Sequence, residues 1–251
     1  MKKKICATAL AVGMAIASAG SMVGCNKEEL PLGKIEKMIA IGDSITCGTY
    51  VEAFTADDVV WGKVSPTFSE IIKNSLGCET LINYGTDGIS ISSCGQPDPE
   101  YSLCRYVDGF ETGDLVLVAA GTNDYGNYEG VELGTIADTT DVSFYGGLHV
   151  FFEKLKEKYA ESRVYIITPM HRQTESKNLK GYTLSDYRRA ITEKAEEFGF
   201  PVIDGTQIPI DPTKAEHRRE YILDGLHPNG AGHKLYAEYV LGQILKMEKK
   251  K

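Results

Sequence analysis

The chain has 251 residues, 27 Lys and Arg against 35 Asp and Glu, and 42% apolar residues, the make-up of one ordinary globular domain rather than of a disordered chain. Its formal net charge of −8, with no long basic stripe, gives no electrostatic reason to approach a phosphate backbone, so nucleic acid is not an expected partner. Six cysteines, irregularly placed and without a C-x-x-C pair, argue against a disulfide scaffold and against a zinc site.

The chain opens on Lys2, Lys3 and Lys4, followed by an uncharged stretch from Ile5 to Gly24 rich in Ala, Gly and Ser, the pattern of an export signal over residues 1–24. The stretch ends in Met22-Val23-Gly24-Cys25, which resembles a bacterial lipobox with Met where Leu is usual; the resemblance implies cleavage before Cys25 and acylation of that cysteine. An uncleaved transmembrane anchor is the alternative, weakened by the scarcity of Leu, Ile and Phe in a segment barely long enough to span. Several acyl chains on Cys25 would hold the protein on a membrane without spanning it, exported and facing outward at a bacterial cell surface or in the periplasm. Residues 25–36 read as a polar tether of about 12 residues with a reach of roughly 20 Å. Residues 37–251 form the expected domain.

Past Lys37, short apolar runs alternate with segments of helical period, the mark of an α/β domain with a parallel sheet. Strands are expected at 38–41, 80–83, 115–119, 164–168 and 201–203, each short and apolar as when helices cover both faces. Helices are expected at 67–76, 101–110, 145–159, 184–198 and 230–247. Right-handed crossovers then favour a three-layer α/β/α sandwich with a five-stranded parallel, flavodoxin-like sheet. Two connections, 48–66 and 125–144, are too long for ordinary loops and start at strand ends, where open α/β sheets bind ligands.

The carboxyl ends of these strands carry the informative residues. The first runs into Gly42-Asp43-Ser44, the second into Asn83-Tyr84-Gly85 and the third into Gly121-Thr122-Asn123-Asp124; the last loop holds Asp224-Gly225-Leu226-His227-Pro228. This ordered set resembles the SGNH hydrolase superfamily, the GDSL-like esterases and lipases, over essentially all of residues 37–247. Gly42-Asp43-Ser44-Ile45-Thr46 lacks the second Gly of a G-x-S-x-G elbow, which disfavours the α/β-hydrolase reading. Ser44 needs a base to become a nucleophile, and His227 is the best-placed imidazole. Asp224, three residues earlier, can fix the tautomer of His227 and stabilise its charged form. The resemblance further implies an oxyanion hole made by the N–H of Ser44, the N–H of Gly85 and the side-chain amide of Asn123.

Each of these residues also has a plainer reading: a capping serine, a packed histidine, a turn-forming asparagine. None explains all the blocks together. Asp43 and Asp124 are assigned to local backbone hydrogen bonding rather than to proton transfer or a glycosidase carboxylate pair. Trp61, Tyr125 and His171 are candidate substrate contacts, while Tyr50, Phe54, Trp61, Tyr125, Tyr128 and Phe144 either line a pocket or form a satellite core beneath a long loop. His149 and His217 read as structural or solvated, and His233, six residues from His227, gives no H-E-x-x-H spacing; no metal and no cofactor is expected. Cys47 reads as a packed thiol, and Cys94 and Cys104 either pair or remain reduced.

The expected activity is a serine esterase working through an acyl-enzyme, with a short acetyl ester on a polysaccharide or cell-wall sugar as the favoured substrate. A lysophospholipase or thioesterase on the same triad is one alternative. A carbohydrate-binding surface lipoprotein without catalysis is the other.

Overall fold

The computed structural model describes residues 32–250. The export signal over 1–24, Cys25 and the first part of the tether lie outside the described residues. The tether is shorter than expected at its far end: Leu32 and Ile35 are buried against the domain core, because these two apolar side chains have a helix-lined face to cover.

In chain order the elements are β1 (Lys37–Gly42), α1 (Ser44–Cys47), β2 (Thr49–Phe54), β3 (Val59–Lys63), α2 (Phe68–Leu76), β4 (Thr80–Gly85), α3 (Leu103–Tyr106), β5 (Leu115–Ala119), α4 (Thr122–Gly126), α5 (Phe144–Lys158), β6 (Arg163–Ile167), α6 (Leu184–Phe198), β7 (Val202–Ile203), α7 (Ala215–Tyr221) and α8 (Gly230–Glu248). Five strands make one parallel sheet in the order β4-β1-β5-β6-β7. Counting only these strands, the order is 2-1-3-4-5, the flavodoxin-like arrangement. Alternation along each central strand feeds two cores. Ile39, Ile41, Val116, Val118, Val164 and Ile166 face Leu103, Phe151, Phe152 and Tyr187 on one side. Met38, Leu115, Leu117, Tyr165 and Ile167 face Phe68, Ile72, Tyr236 and Val240 on the other. Every residue of β5 is buried, and each fully buried Val or Leu there contributes about 1.5–3 kcal/mol.

Local chemistry sets the helix ends. Thr67 and Glu70 form a capping box on α2, which stops at Gly77 in the left-handed conformation. Asn229 caps α8 through the N–H groups of Ala231 and Gly232. The helix expected over 101–110 is broken. One α-helical turn runs into a 3₁₀ turn at Val107–Gly109, and the N–H groups of Leu103 and Cys104, free at the start of that turn, donate to the carbonyls of Ser90 and Ile91.

The two long connections differ. The first is a hairpin, β2 paired antiparallel with β3 around a turn in which Thr55 and Asp58 bond each other's backbone. The second, outside the short α4, is irregular but anchored, with Val131 and Leu133 buried and Val131 donating to Asp124 O at 2.8 Å.

Candidate active site

Ser44 sits where β1 ends, beside the point at which the strand order reverses between β1 and β5. Asp43 caps α1 by accepting the Ile45 N–H at 3.0 Å, which fixes the turn that lifts Ser44 off the strand. As the first residue of a one-turn helix, Ser44 has a backbone N–H with no intrahelical acceptor. Burial pushes the Asp43 carboxyl up to about 6, against the opposing pull of the Ile45 N–H and of His227 and Arg172.

Asp224 and His227 lie in the loop between α7 and α8. Ser44 Oγ is 2.9 Å from His227 Nε2, and His227 Nδ1 is 2.6 Å from Asp224 Oδ2. The other carboxylate oxygen, Oδ1, accepts the N–H groups of His227 at 2.8 Å and Leu226 at 3.0 Å. Burial works to raise the Asp224 pKa, but the bonds from the His227 ring, the two N–H groups and the imidazole charge outweigh it and hold the carboxyl below its usual value. The loop is braced from behind by Gln173, whose N–H donates to Gly225 O at 2.8 Å. With Nδ1–H directed to the carboxylate, Nε2 is left as an acceptor for the Ser44 hydroxyl.

Helix α4 reaches across the rim and pins the loop after β4. Asn123 Nδ2 donates to Ile89 O at 2.8 Å and Asn127 Nδ2 to Gly88 O at 2.9 Å. Asp124 accepts the N–H groups of Ile91 and Ser92, both at 2.9 Å. Asp43 and Asp124 thus do bond backbone, although Asp124 does so across the fold rather than locally. Burial drives the Asp124 carboxyl up to about 7 despite those two bonds.

Gly85 is not in the oxyanion position expected for it. Its N–H donates to Asn83 Oδ1 at 2.8 Å, and a Cβ there would come within 2.2 Å of Cys47 N, so Gly85 is the point where β4 packs directly on α1. Gly88 is the glycine at the cleft. It lines the cleft with Ser44 and Asn123, has φ +73, and among the described residues no acceptor meets its N–H. The Asp87-Gly88 dipeptide, a turn signal requiring positive φ, is the sequence feature that marks it.

The cleft beside Ser44 measures about 530 Å³ and is open to solvent. Its near wall is the hairpin, presenting Thr49, Trp61 and Lys63; its far wall is Asp87, Gly88, Asn123 and Asn127. Lys63 Nζ ties the walls together, donating to Asp87 Oδ2 at 3.1 Å, to Cys47 Sγ at 2.8 Å and to Thr49. Trp61 is the one candidate substrate contact of the three that reaches the cleft.

Tyr125 is buried, donates to Ser176 O and stacks under Arg172, because α4 turns this side chain into the core. His171 pairs with Glu175 and lines a different surface groove with His217 and Lys214. Of the other loop aromatics, Tyr50 lies over Gly62, Phe144 is in the core, and Phe54 and Tyr128 are exposed away from the cleft.

Outside the cleft, His149 lies by Lys194, and His217 accepts the Asp211 N–H. His233 is buried, accepts the Phe68 N–H at 3.0 Å and is held down to about 4 by burial. Cys94 and Cys104 are free thiols that both contact Asp141, and Cys47 is a half-buried thiol. Among the described residues no group of three or more His, Cys, Asp or Glu is placed to hold a metal ion.

The model of the GDSL-like lipase/acylhydrolase family matches residues 40–235. No curated protein sequence matches the chain. Among solved structures, a protein from Lactobacillus plantarum aligns with 24% identity and a TM-score of 0.70, over 85% of this chain and 97% of that one. A possible lipase from Chitinophaga pinensis DSM 2588 aligns with 19% identity and a TM-score of 0.62, over 85% and 99%. The native aryl esterase of M. smegmatis aligns with 18% identity and a TM-score of 0.61, over 84% and 99%. At these identities the likeness is one of fold.

Proposed function

The chain belongs to the GDSL-like lipase/acylhydrolase family, within the SGNH hydrolases that act on ester bonds, and from that premise we propose a serine esterase in which Ser44 attacks, His227 moves the proton and Asp224 orients His227. The observation that carries the assignment is the continuous pair of contacts, 2.9 Å from Ser44 Oγ to His227 Nε2 and 2.6 Å from His227 Nδ1 to Asp224. An unassisted hydroxyl is a poor nucleophile, and this chain gives its proton a destination and the resulting imidazolium a counter-charge. The tetrahedral intermediate puts negative charge on the former carbonyl oxygen. The N–H groups of Ser44 and Gly88 and the second proton of Asn123 Nδ2 are the donors for it.

For the substrate we propose a short acyl ester, acetyl above all, on a carbohydrate. Thr49, Lys63, Asp87, Asn123 and Asn127 place hydrogen-bonding groups around an otherwise largely apolar cleft, partners for the hydroxyls of a carbohydrate alcohol. The N-terminal sequence supports placement outside the cell, with acylated Cys25 as the membrane anchor.

Fluorophosphonate labelling tests the nucleophile. Wild-type protein is expected to label and Ser44→Ala is not; equal labelling of the two removes Ser44 from the role. Rates on p-nitrophenyl esters from acetyl to decanoyl test the acyl preference, with a maximum expected at the short end. A maximum at the long end would point to a lysophospholipase or thioesterase instead.

A further inference from the structure

The direction of proton flow assigns each half of the ester to a wall of the cleft. In acylation the Ser44 Oγ bond to the acyl carbon forms, the bond from that carbon to the alcohol oxygen breaks, and the Ser44 proton passes through His227 Nε2 to the departing alcohol oxygen. The alcohol oxygen must therefore lie against His227, while the carbonyl oxygen lies against Gly88 and Asn123. The cleft residue adjoining His227 is Trp61, whose indole meets the imidazole edge-on with ring centroids 5.4 Å apart and planes at 82°. Trp61 nevertheless keeps 54% of its surface exposed, whereas His227 keeps 9%. A large apolar ring held half in solvent beside a catalytic base is an unfilled contact surface.

We propose that Trp61 forms the alcohol subsite and receives the C–H face of a pyranose ring that carries the acyl group. The inference rests on the ester-hydrolase reading and adds which half of the substrate selects the enzyme. A pyranose has an apolar face for the indole and hydroxyls around its rim. Lys63 is two residues from Trp61 along β3 and so on the same side of the strand. It lines the cleft together with Asp87 and Asn127, so donors and acceptors stand next to the apolar platform. The platform itself is stiff. Lys63 cross-links the hairpin to Asp87 on the opposite wall, and the Tyr50 ring packs over Gly62, next to Trp61 in the strand. Specificity of this kind costs little ordering on binding, since an aromatic platform held in place has few rotamers to lose.

The test compares an acetylated methyl xylopyranoside with methyl acetate, whose alcohol is too small to cover the indole. In Trp61→Ala the ratio of kcat/KM for the sugar ester to that for methyl acetate should fall about tenfold, and Trp61→Phe, which keeps a ring, should retain most of it. The same ratio in wild type and Trp61→Ala overturns the subsite. A second arm does not depend on turnover. Trp61 is the single tryptophan of the chain, so its emission in Ser44→Ala reports the subsite alone. Saturable change in that emission, with protection from acrylamide quenching, is expected on titration with the acetylated pyranoside. Unchanged emission at concentrations that saturate wild-type turnover overturns the proposal. Hydrolysis of both esters that is unaffected by Ser44→Ala would instead overturn the esterase reading, and the emission arm would still decide the subsite.

Discussion

The side-chain oxygen of Asn83 accepts the backbone N–H of Gly85 at 2.8 Å, and that bond decides which glycine faces the substrate. Gly85 spends its donor inside its own turn and packs against the backbone of Cys47, whereas Gly88 lines the cleft at φ +73 with no acceptor for its N–H among the described residues. Substitution of the two should therefore fail in different ways. Gly88→Ala meets no atom within 4 Å but strains a left-handed position by about 1–2 kcal/mol and tilts the N–H, so kcat should fall by about tenfold or more with the fold retained. Gly85→Ala drives a Cβ to 2.2 Å from Cys47 N and should lower the melting temperature. Kinetics and thermal melts on both variants check this; full activity in Gly88→Ala would return the oxyanion role to another group.

Asn123 lines the cleft and uses one amide proton to hold Ile89 O, which leaves the second as the oxyanion donor proposed above. Asn123→Ala should cost roughly 10²–10³ in kcat, the usual loss for one oxyanion donor, with KM changed far less. Because Asp124 and Asn127 still pin the loop after β4, the melting temperature should move by only a few degrees. A large loss of stability with little loss of kcat would make Asn123 a structural residue.

The two glycines and the hairpin also show what the sequence hides. Alternation and helical period marked all five sheet strands within a residue or two, because burial on both faces leaves runs such as Leu115–Ala119 with no polar residue. Ser44, Asn123, Asp224 and His227 stood out because their chemistry requires those side chains. An oxyanion donor supplied by backbone requires none, so Gly85 and Gly88 are told apart by the acceptor that Asn83 gives Gly85 and by the packing of Gly85 on Cys47, which no side-chain requirement announces. The β2–β3 hairpin was missed because exposure of Val60, Trp61 and Lys63 removes the in-out pattern that identifies a half-buried strand. Tyr125 and His171 follow strand ends as Asn123 does, and only the turn of α4 and the Glu175 contact send them elsewhere.

Stability should fall as pH rises from 5 to 8. Burial raises the folded-state pKa of Asp43 to about 6 and of Asp124 to about 7, from an ordinary 3.8, so both bind a proton more tightly when folded. Their contribution is fully present below about 3.8 and is lost as pH rises through about 6 and 7. Asp224, lowered, Glu175, lowered to about 2, and His233, lowered from 6.5 to about 4, act oppositely: their contribution is present above their ordinary values and is lost as pH falls through the folded ones, and of the three only His233 changes much above pH 5, where it offsets part of the decline. Denaturant melts should accordingly show greater stability near pH 5 than near pH 8. Asp43→Asn keeps a cap for the Ile45 N–H without a titrating group. It should remove on the order of 2–3 kcal/mol of the decline between pH 4 and 7. A wild-type stability that rises steadily from pH 5 to 8 would refute the account.

The contact between Trp61 and His227 makes the catalytic base visible in solution. An imidazolium next to an indole quenches its emission more than a neutral imidazole does, and the centroids here are 5.4 Å apart with no other tryptophan in the chain. Fluorescence should therefore rise in one step as pH increases and His227 loses its proton. The other ionisable groups at the cleft are Lys63 and Asp87, which pair with each other, and Asp224, whose carboxyl lies below its usual value. The midpoint of the step should coincide with the acid limb of kcat/KM, since both report the free enzyme. His227→Asn should abolish the step and the activity together. A step that survives in His227→Asn would mean that Trp61 senses a different group, and a midpoint displaced by more than about one pH unit from the kinetic limb would mean that the emission and the rate follow different groups.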